Sequence, residues 1–291
     1  MSFKDFFDDI RLRVNLKLQD KIDSLDNDAL ELKEAMNYGL MLGGKRSRPF
    51  LVYATAKALG IDFDKVDKAA CAIECIHAYS LIHDDMPEMD NDELRRGMPS
   101  VHKKFGQACA LLAGDALQTL AFEFLSQDDD AKTSFEMLKI LSEHAGYAGM
   151  CGGQAIDLAS EGKHIDIDLL RLLHSKKTGA LICASVLMVA SFIKDNKDTF
   201  EALHTYAKKI GVAFQIQDDL LDVLGDTKVL GKKVGSDLSL DKSTYPSLLG
   251  IEKSQALALK TVDEALAALK IVKGDTTLLS DFAQFCINRD H

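Results

Sequence analysis

Two acidic clusters in this sequence have the residue types and spacing expected for binding divalent metal ions. The first cluster reads Asp84-Asp85-Met86-Pro87-Glu88-Met89-Asp90, and the second reads Asp218-Asp219-Leu220-Leu221-Asp222. Each cluster follows a long apolar stretch, where a bare carboxylate is unfavourable unless a cation meets it. Carboxylate oxygens are the ligands that hard divalent cations prefer. The sequence therefore predicts two metal-binding clusters.

The spacing within each cluster says which carboxylates can act together. Asp218 and Asp222 are four residues apart and lie about 40° apart on one helix face, so one cation can sit between them. Asp219 points about 100° away from Asp218, towards a second metal ion or a lysine. In the first cluster we expect a helix to end at Asp84 and Asp85, and Pro87 to turn the chain so that Asp90 returns beside Asp84.

Basic segments accompany the acidic clusters and predict sites for anions such as phosphate. Gly43–Pro49 reads GGKRSRP, Arg95 and Arg96 follow the first cluster directly, and the segment 225–243 is rich in lysine and glycine. Helix N-termini bind anions through free N–H groups, and Arg adds forked donors. Surface salt bridging is the alternative for the arginine pair.

Composition limits the class of protein. The 291 residues carry a net charge of −10, which argues against nucleic acid as the main partner. Six cysteines without a Cys-x-x-Cys pair indicate a reducing compartment, and we expect a cytoplasmic protein. The N-terminus is too acidic for a signal peptide. The longest apolar run, Ala180–Ile193, is too short to span a bilayer and predicts a buried core helix rather than stable membrane insertion.

Helical periodicity dominates the chain and predicts an all-α fold in a single domain over residues 1–291. No proline occurs between Pro99 and Pro246, and no Asn-Gly or Asp-Gly hairpin turn is present. The predicted helices cover residues 3–20, 28–42, a stretch from near Pro49 to Gly60, 65–86, 106–126, 130–158, 166–194 and 198–223, with shorter ones after the second loop. Residues 87–105 and 225–243 are predicted to be loops.

These motifs together resemble those of a known family, the trans-isoprenyl diphosphate synthases of the bacterial farnesyl diphosphate synthase type. The matching segments, in the order that the family has them, are Gly43–Pro49, His77–Gly97, Gly114–Leu117, Gly152–Gln154, Lys177–Gly179, Gln215–Asp222 and Lys232. The resemblance implies a bundle of about ten or more helices around a central catalytic cavity (the isoprenoid synthase type), and a homodimer. It also implies a cytoplasmic transferase with isopentenyl, dimethylallyl and geranyl diphosphate as substrates.

The resemblance implies a role for each matching residue. Asp84 and Asp90 would hold two Mg²⁺ from one wall with Asp85 in support, and Asp218 with Asp222 would hold a third from the opposite wall; Mn²⁺ could replace Mg²⁺. The allylic diphosphate would be bound by Arg95, Lys177 and Lys232. Isopentenyl diphosphate would be bound by Gly44, Lys45, Arg48, His77 and Arg96. Thr178 and Gln215 would face the allylic carbocation.

Product length is implied by the residues just before the first acidic cluster, Tyr79 and Ser80. A large aromatic side chain five residues before Asp84 resembles the fifteen-carbon pattern, so farnesyl diphosphate is the expected product. Helix geometry puts Tyr79 about 140° around from Asp84, and Tyr79 as ordinary core stays open. The alternatives are a geranyl or geranylgeranyl diphosphate synthase, a terpene cyclase, or a non-catalytic subunit of a heteromeric synthase.

Overall fold

The computed structural model describes residues 2–127, 130–193, 195–224 and 243–288, and it confirms the all-α prediction. The helices in these ranges are α1 (Phe3–Asp23), α2 (Leu30–Met41), α3 (Ser47–Leu59), α4 (Asp67–Asp84), α5 (Val101–Phe105), α6 (Gln107–Ser126), α7 (Ala131–Ala145), α8 (Met150–Ser160), α9 (Ile167–His174), α10 (Ala180–Ala190), α11 (Lys197–Leu224), α12 (Tyr245–Leu249), α13 (Ile251–Leu269) and α14 (Thr277–Asn288). A π-helix (Ser175–Gly179) and two 3₁₀ turns (Phe63–Lys65 and Ser191–Ile193) complete the helical elements.

Contacts divide the chain into two compact units. Unit 1 consists of residues 1–56 and 61–138, and unit 2 of residues 57–60 and 139–291. The first acidic cluster belongs to unit 1 and the second to unit 2. The single domain over 1–291 stays a prediction.

In unit 1, α4 is the central helix, because residues along most of its length are buried. A polar network fixes α1 and α3 to its first turn. Arg13 donates to both carboxylate oxygens of Asp67 at 2.7 and 2.8 Å, and the Tyr53 hydroxyl donates to the same carboxylate at 2.6 Å. Burial alone would raise the pKa of Asp67, but these hydrogen bonds outweigh it and lower the pKa. The network therefore anchors the start of the helix that ends in the first acidic cluster.

In unit 2, α10 confirms the prediction of a buried core helix, since every residue from Ala180 to Ala190 is buried. By length and composition alone, Gln107–Ser126 and Ile167–Ile193 could each cross a membrane, and most of the second is buried within the protein, as in the core helix of a soluble protein. The 28-residue helix α11 carries the second acidic cluster at its C-terminal end.

Two predicted elements were wrong in detail. The predicted helix 130–158 is two helices, α7 and α8. Gly149 lies between them, where an added Cβ would be 1.9 Å from the carbonyl oxygen of His144, an approach that only glycine permits. The predicted loop 87–105 contains a two-residue hairpin, β1 (Leu94–Arg95) paired antiparallel with β2 (Met98–Pro99), and the short helix α5. Most of the second predicted loop, including Lys232, lies outside the described residues.

Candidate active site

The first acidic cluster folds as a turn at the end of α4. Asp84 is the last residue of the helix, and the backbone N–H of Asp90 donates to the carbonyl oxygen of Asp84 at 2.8 Å. Two further bonds, from the N–H groups of Met89 and Asn91 to the carbonyl of Met86, tighten the turn. The prediction that the chain returns Asp90 to Asp84 is confirmed at the level of the backbone.

Asp85 differs from its neighbours, because it is buried and paired with a cation. Arg95 donates from Nε to both carboxylate oxygens of Asp85 at 3.0 and 3.2 Å, and from Nη2 to Oδ1. Burial raises the pKa of Asp85, and the hydrogen bonds from Arg95 oppose that rise. Asp85 therefore orients Arg95, which fits the supporting role that the resemblance implies, and its part in holding metal stays a prediction.

Arg96 occupies the tip of the hairpin between β1 and β2. Both residues of the two-residue turn have positive φ, 55° at Arg96 and 77° at Gly97, the pattern of a type I′ turn. The guanidinium of Arg96 donates to the carbonyl oxygen of Gly43. A Cβ on Gly44, whose φ is +123°, would come 2.9 Å from that guanidinium. Gly44 thus leaves room for Arg96 against the GGKRSRP segment.

The GGKRSRP segment is a turn that starts α3. Its central residue Arg46 has φ 55°, and its carbonyl oxygen accepts the first helical hydrogen bond, from Phe50 N–H at 2.9 Å. A non-glycine residue in this conformation costs about 1–3 kcal/mol, so other contacts must hold it. Arg46 is buried, whereas Lys45 is exposed and Arg48 is partly exposed. Two of the predicted ligands of isopentenyl diphosphate, Lys45 and Arg48, therefore flank a buried arginine.

His77 on α4 lies in the field of several arginines. Its pKa is held well below the ordinary value by burial first and then by the positive charges of Arg48, Arg96, Arg46 and Arg95. The ring is therefore neutral at pH 7, and an N–H of the neutral ring can donate to an anion. These charges also show that arginines from the turn and from the hairpin surround one position on α4.

Tyr79 and Ser80, the residues linked with product length, differ in their surroundings. Tyr79 is only 5% exposed, and its ring meets that of His83 edge-on with 5.7 Å between centroids. The Ser80 hydroxyl donates to the carbonyl oxygen of His77 in the same helix at 2.9 Å. His83 itself lies against Gly114, where an added Cβ would be 2.1 Å from Nε2. Tyr79 is thus the bulky side chain of the pair.

In unit 2, Lys177 lies in the π-helix that joins α9 to α10. A π-helix is rare and frequently marks a functional site. The Lys177 ammonium donates to Oδ2 of Asp157 on α8 at 2.6 Å, with side chains 28% and 15% exposed. A Cβ on Gly153 would lie 2.2 Å from the backbone N of Lys177, so this glycine allows α8 to approach the π-helix. The sequence motif Gly152-Gly153-Gln154 therefore serves to bring Asp157 to Lys177.

Thr178 and Gln215 flank a contact between two glycines. A Cβ on Gly211 of α11 would be 2.8 Å from the Cα of Gly179, so the backbones of α11 and the π-helix approach closely. Thr178 precedes Gly179, and Gln215 lies one helical turn beyond Gly211. The structure therefore places these two predicted residues next to the same helix crossing.

The second acidic cluster divides by burial. Asp218 and Asp222 are partly exposed on α11, whereas Asp219 is 4% exposed. The Asp219 carboxylate accepts a hydrogen bond from the backbone N–H of Tyr245 at 2.9 Å. The Asp219 carboxylate thereby holds the start of α12, and its orientation towards a second metal ion or a lysine stays a prediction.

The exposed carboxylates fit Mg²⁺ as it is usually bound in proteins. Within the described ranges, no three His, Cys, Asp or Glu side chains come together as a closed metal cage. Mg²⁺ keeps several waters and commonly takes only one or two carboxylates, with substrate phosphates as further ligands. Asp84 with Asp90, and Asp218 with Asp222, have this composition. The donor set thus fits a metal that arrives with a phosphate substrate.

Several functional candidates escaped the sequence reasoning. Glu74 and Asp157 pair with cations of the site, and a single acidic residue within a helix gives no signal of that. His174, three residues before Lys177, is half-buried, and its pKa is lowered to about 4 by burial, with Asp157 opposing and Lys177 adding to the shift. Its ring lies 5.5 Å from that of Tyr245, whose pKa burial raises to about 12.

Comparisons with known proteins identify the family of the chain. Residues 30–273 match the polyprenyl synthetase family. The chain is 51% identical to a farnesyl diphosphate synthase of Escherichia coli (88% of this chain, 89% of that protein) and 46% identical to one of Haemophilus influenzae (99% and 98%). A geranyltransferase of Helicobacter pylori, crystallised with magnesium and isoprenyl diphosphate, superposes with a TM-score of 0.84 at 36% identity, covering 99% of this chain and 97% of that one.

An all-α fold with two aspartate clusters and carboxylate-held cations defines the class of diphosphate-dependent prenyltransferases. The chain belongs to the polyprenyl synthetase family. Its relatives with high identity over nearly the full length include farnesyl diphosphate synthases.

Proposed function

We propose that this chain is a magnesium-dependent prenyltransferase that condenses dimethylallyl and then geranyl diphosphate with isopentenyl diphosphate to give farnesyl diphosphate. The observation that carries the proposal is the 46–51% identity to farnesyl diphosphate synthases over most of the chain. The turn that returns Asp90 to Asp84 and the aspartate pair on α11 supply the acidic side chains that such chemistry needs.

Unit 1 supplies one set of ligands. Lys45, Arg48, His77 and Arg96 would bind isopentenyl diphosphate, with Gly44 keeping space for Arg96. Asp84 and Asp90 would hold two Mg²⁺. Arg95, oriented by Asp85, would bind the diphosphate of the allylic substrate. The arginines that act on His77 support this grouping.

Unit 2 supplies a second set. Lys177, held by Asp157, and Lys232, which lies outside the described residues, would bind the allylic diphosphate. Asp218 and Asp222 would hold a third Mg²⁺. Thr178 and Gln215 would present their oxygens to the allylic cation.

The reaction then follows from the charges. The bond between the allylic carbon and the diphosphate oxygen breaks, and the diphosphate leaves with the electron pair. Mg²⁺ held by the two aspartate pairs would supply positive charge against the charge that develops on the diphosphate. Lys177 and Arg95, positioned by Asp157 and Asp85, would each donate to diphosphate with little rearrangement, which would lower the barrier. The double bond of isopentenyl diphosphate attacks the cation, and the new carbon–carbon bond leaves a second cation on the attacking molecule. A neighbouring C–H bond then breaks, its electrons form the new double bond, and the proton passes to the departed diphosphate.

Release of inorganic diphosphate tests the proposal. The purified chain, incubated with dimethylallyl and isopentenyl diphosphate, should release diphosphate in Mg²⁺ and cease to do so in excess EDTA. Release from an allylic diphosphate alone, with a hydrocarbon product, would support a terpene cyclase. Activity that appears only when a partner chain is added would support a subunit of a heteromeric synthase. We also propose that the chain is cytoplasmic and forms a homodimer. Sedimentation of the purified chain tests the dimer, and cell fractionation tests the location.

A further inference from the structure

A buried ion pair lies beneath the GGKRSRP turn. The Nη1 of Arg46 donates to Oε1 of Glu74 on α4 at 2.6 Å, and both side chains are 3% exposed. Arg46 also donates from Nε to Asn15 Oδ1 at 2.9 Å and from Nη2 to the carbonyl oxygen of Leu40 at 2.8 Å. Residues of α1, α2 and α4 therefore accept hydrogen bonds from the guanidinium of Arg46.

These hydrogen bonds fix the backbone on both sides of Arg46. Because its φ of 55° is unfavourable for a residue with a Cβ, the buried contacts of the side chain must maintain it. Lys45 precedes this residue and is exposed, and Arg48 lies in the first turn of α3. The directions in which the Lys45 and Arg48 side chains point therefore depend on the position of Arg46.

The pair also sets the charge around His77. Glu74 lies three residues before His77, almost one turn away along α4. Arg46 is one of the arginines whose charge acts on the ring of His77. Burial and the charge of Arg46 lower the pKa of Arg96, and the charge of Glu74 raises it. Glu74 is therefore the negative charge that offsets Arg46 within a cluster of cations, and a buried Arg46 without it would carry an uncompensated charge.

We propose that Glu74 is a positioning residue for isopentenyl diphosphate, acting through Arg46 to hold the turn that presents Lys45 and Arg48. The inference rests on the proposed function. The side chains of Glu74 and Arg46 are 3% exposed and hydrogen-bonded within the protein. In this proposal they act by keeping the exposed cations in place.

The expected kinetic signature follows from the chemistry of this substrate. The diphosphate of isopentenyl diphosphate is retained in the product, and its charge does not change in the reaction. Contacts to it are equally strong in the ground and transition states, so their loss raises KM and leaves kcat unchanged. A residue that merely supports the fold would lower the melting temperature without this selective change.

The test compares Glu74→Gln with the unchanged protein. The amide keeps the shape and one acceptor oxygen but removes the charge. At saturating geranyl diphosphate, we expect the KM for isopentenyl diphosphate to rise about tenfold, equivalent to about 1.4 kcal/mol. The kcat and the KM for geranyl diphosphate should change less than about twofold. Arg46→Lys, which keeps the cation but loses the fork, should shift the same KM in the same direction.

A matched control comes from a second ion pair on the same helix. Asp67→Asn breaks the Arg13–Asp67 pair and should lower the melting temperature while leaving the KM for isopentenyl diphosphate unchanged. An unchanged KM in either folded variant, or an equal rise in the control, would overturn the proposal. Absence of turnover in the unchanged protein would instead reject the proposed function, and titration calorimetry with isopentenyl diphosphate would then compare the binding of the same variants.

Discussion

At the scale of single residues, carboxylates hold the cations that are proposed to bind substrate. Asp85 pairs with Arg95 in unit 1, and Asp157 pairs with Lys177 in unit 2. An isolated cationic side chain is mobile, so a nearby carboxylate reduces the rearrangement needed when a diphosphate arrives. In both units a carboxylate thus holds a cation that is proposed to bind substrate.

Asp157→Asn tests this pairing in unit 2. Without the charge of Asp157, the Lys177 ammonium is no longer fixed at 2.6 Å, and it should stabilise the leaving diphosphate less well. We expect kcat to fall about tenfold, or about 1.4 kcal/mol in the barrier, in a steady-state assay. Glu264→Gln, which breaks the 2.5 Å pair with Lys209 on the surface, should leave kcat unchanged. An unchanged kcat in Asp157→Asn would show that Lys177 needs no such anchor.

Product length is the second residue-scale prediction, and it depends on Tyr79. Replacing this buried ring by Ala removes a large side chain, so a growing chain could extend further. Tyr79→Ala should shift the product from fifteen towards twenty carbons or more, as measured by mass spectrometry of the dephosphorylated alcohols. Ile82→Ala creates a smaller gap on the face of α4 that lies against Gly39 and should not change the product. If both variants make a product of the same length as the unchanged protein, Tyr79 is an ordinary core residue.

At the scale of elements, glycines set how closely the helices of unit 2 approach. Gly153 allows the backbone of α8 to approach the π-helix closely, and Gly211 does the same for α11. The π-helix is therefore held from two sides at the residues Lys177 to Gly179. Close packing of this kind transmits small changes in helix position to the side chains nearby.

Two substitutions in the same contact provide a matched pair. A Cβ on Gly211 would lie 2.8 Å from the Cα of Gly179, whereas a Cβ on Gly179 would meet neighbours only at 3.5 Å or more. Gly211→Ala should therefore lower the free energy of unfolding by about 1–3 kcal/mol through overpacking. Gly179→Ala should be neutral or stabilise by up to about 1 kcal/mol, because alanine favours helix. Denaturant unfolding measures both, and equal values would contradict the close contact.

The sequence predicted well those features that depend on local pattern. Periodicity located the helices, and the order of Pro87 and the aspartates predicted the return of Asp90 to Asp84. Roles that depend on tertiary partners could not be predicted, because the sequence does not show which cation meets which acid. Arg46 and Arg48 look alike in GGKRSRP, yet one is buried on Glu74 and the other is partly exposed. The bond between Asp219 and the backbone of Tyr245 likewise could not be predicted from the acidic motif.

At the scale of the whole molecule, the two compact units divide the proposed ligands between them. Unit 1 contains the proposed residues for isopentenyl diphosphate and two metal ions, and unit 2 contains Lys177, Thr178, Gln215 and the second aspartate pair. The proposed reaction needs both sets in one protein, and the family match from residue 30 to 273 covers all of them.

Analysis of the product tests the central claim most directly. The purified chain is incubated with dimethylallyl and isopentenyl diphosphate in Mg²⁺, and the products are dephosphorylated and identified by mass spectrometry. We predict that the fifteen-carbon alcohol farnesol dominates. A dominant ten- or twenty-carbon alcohol would contradict the assigned product, and the absence of any condensed alcohol would contradict the prenyltransferase activity itself.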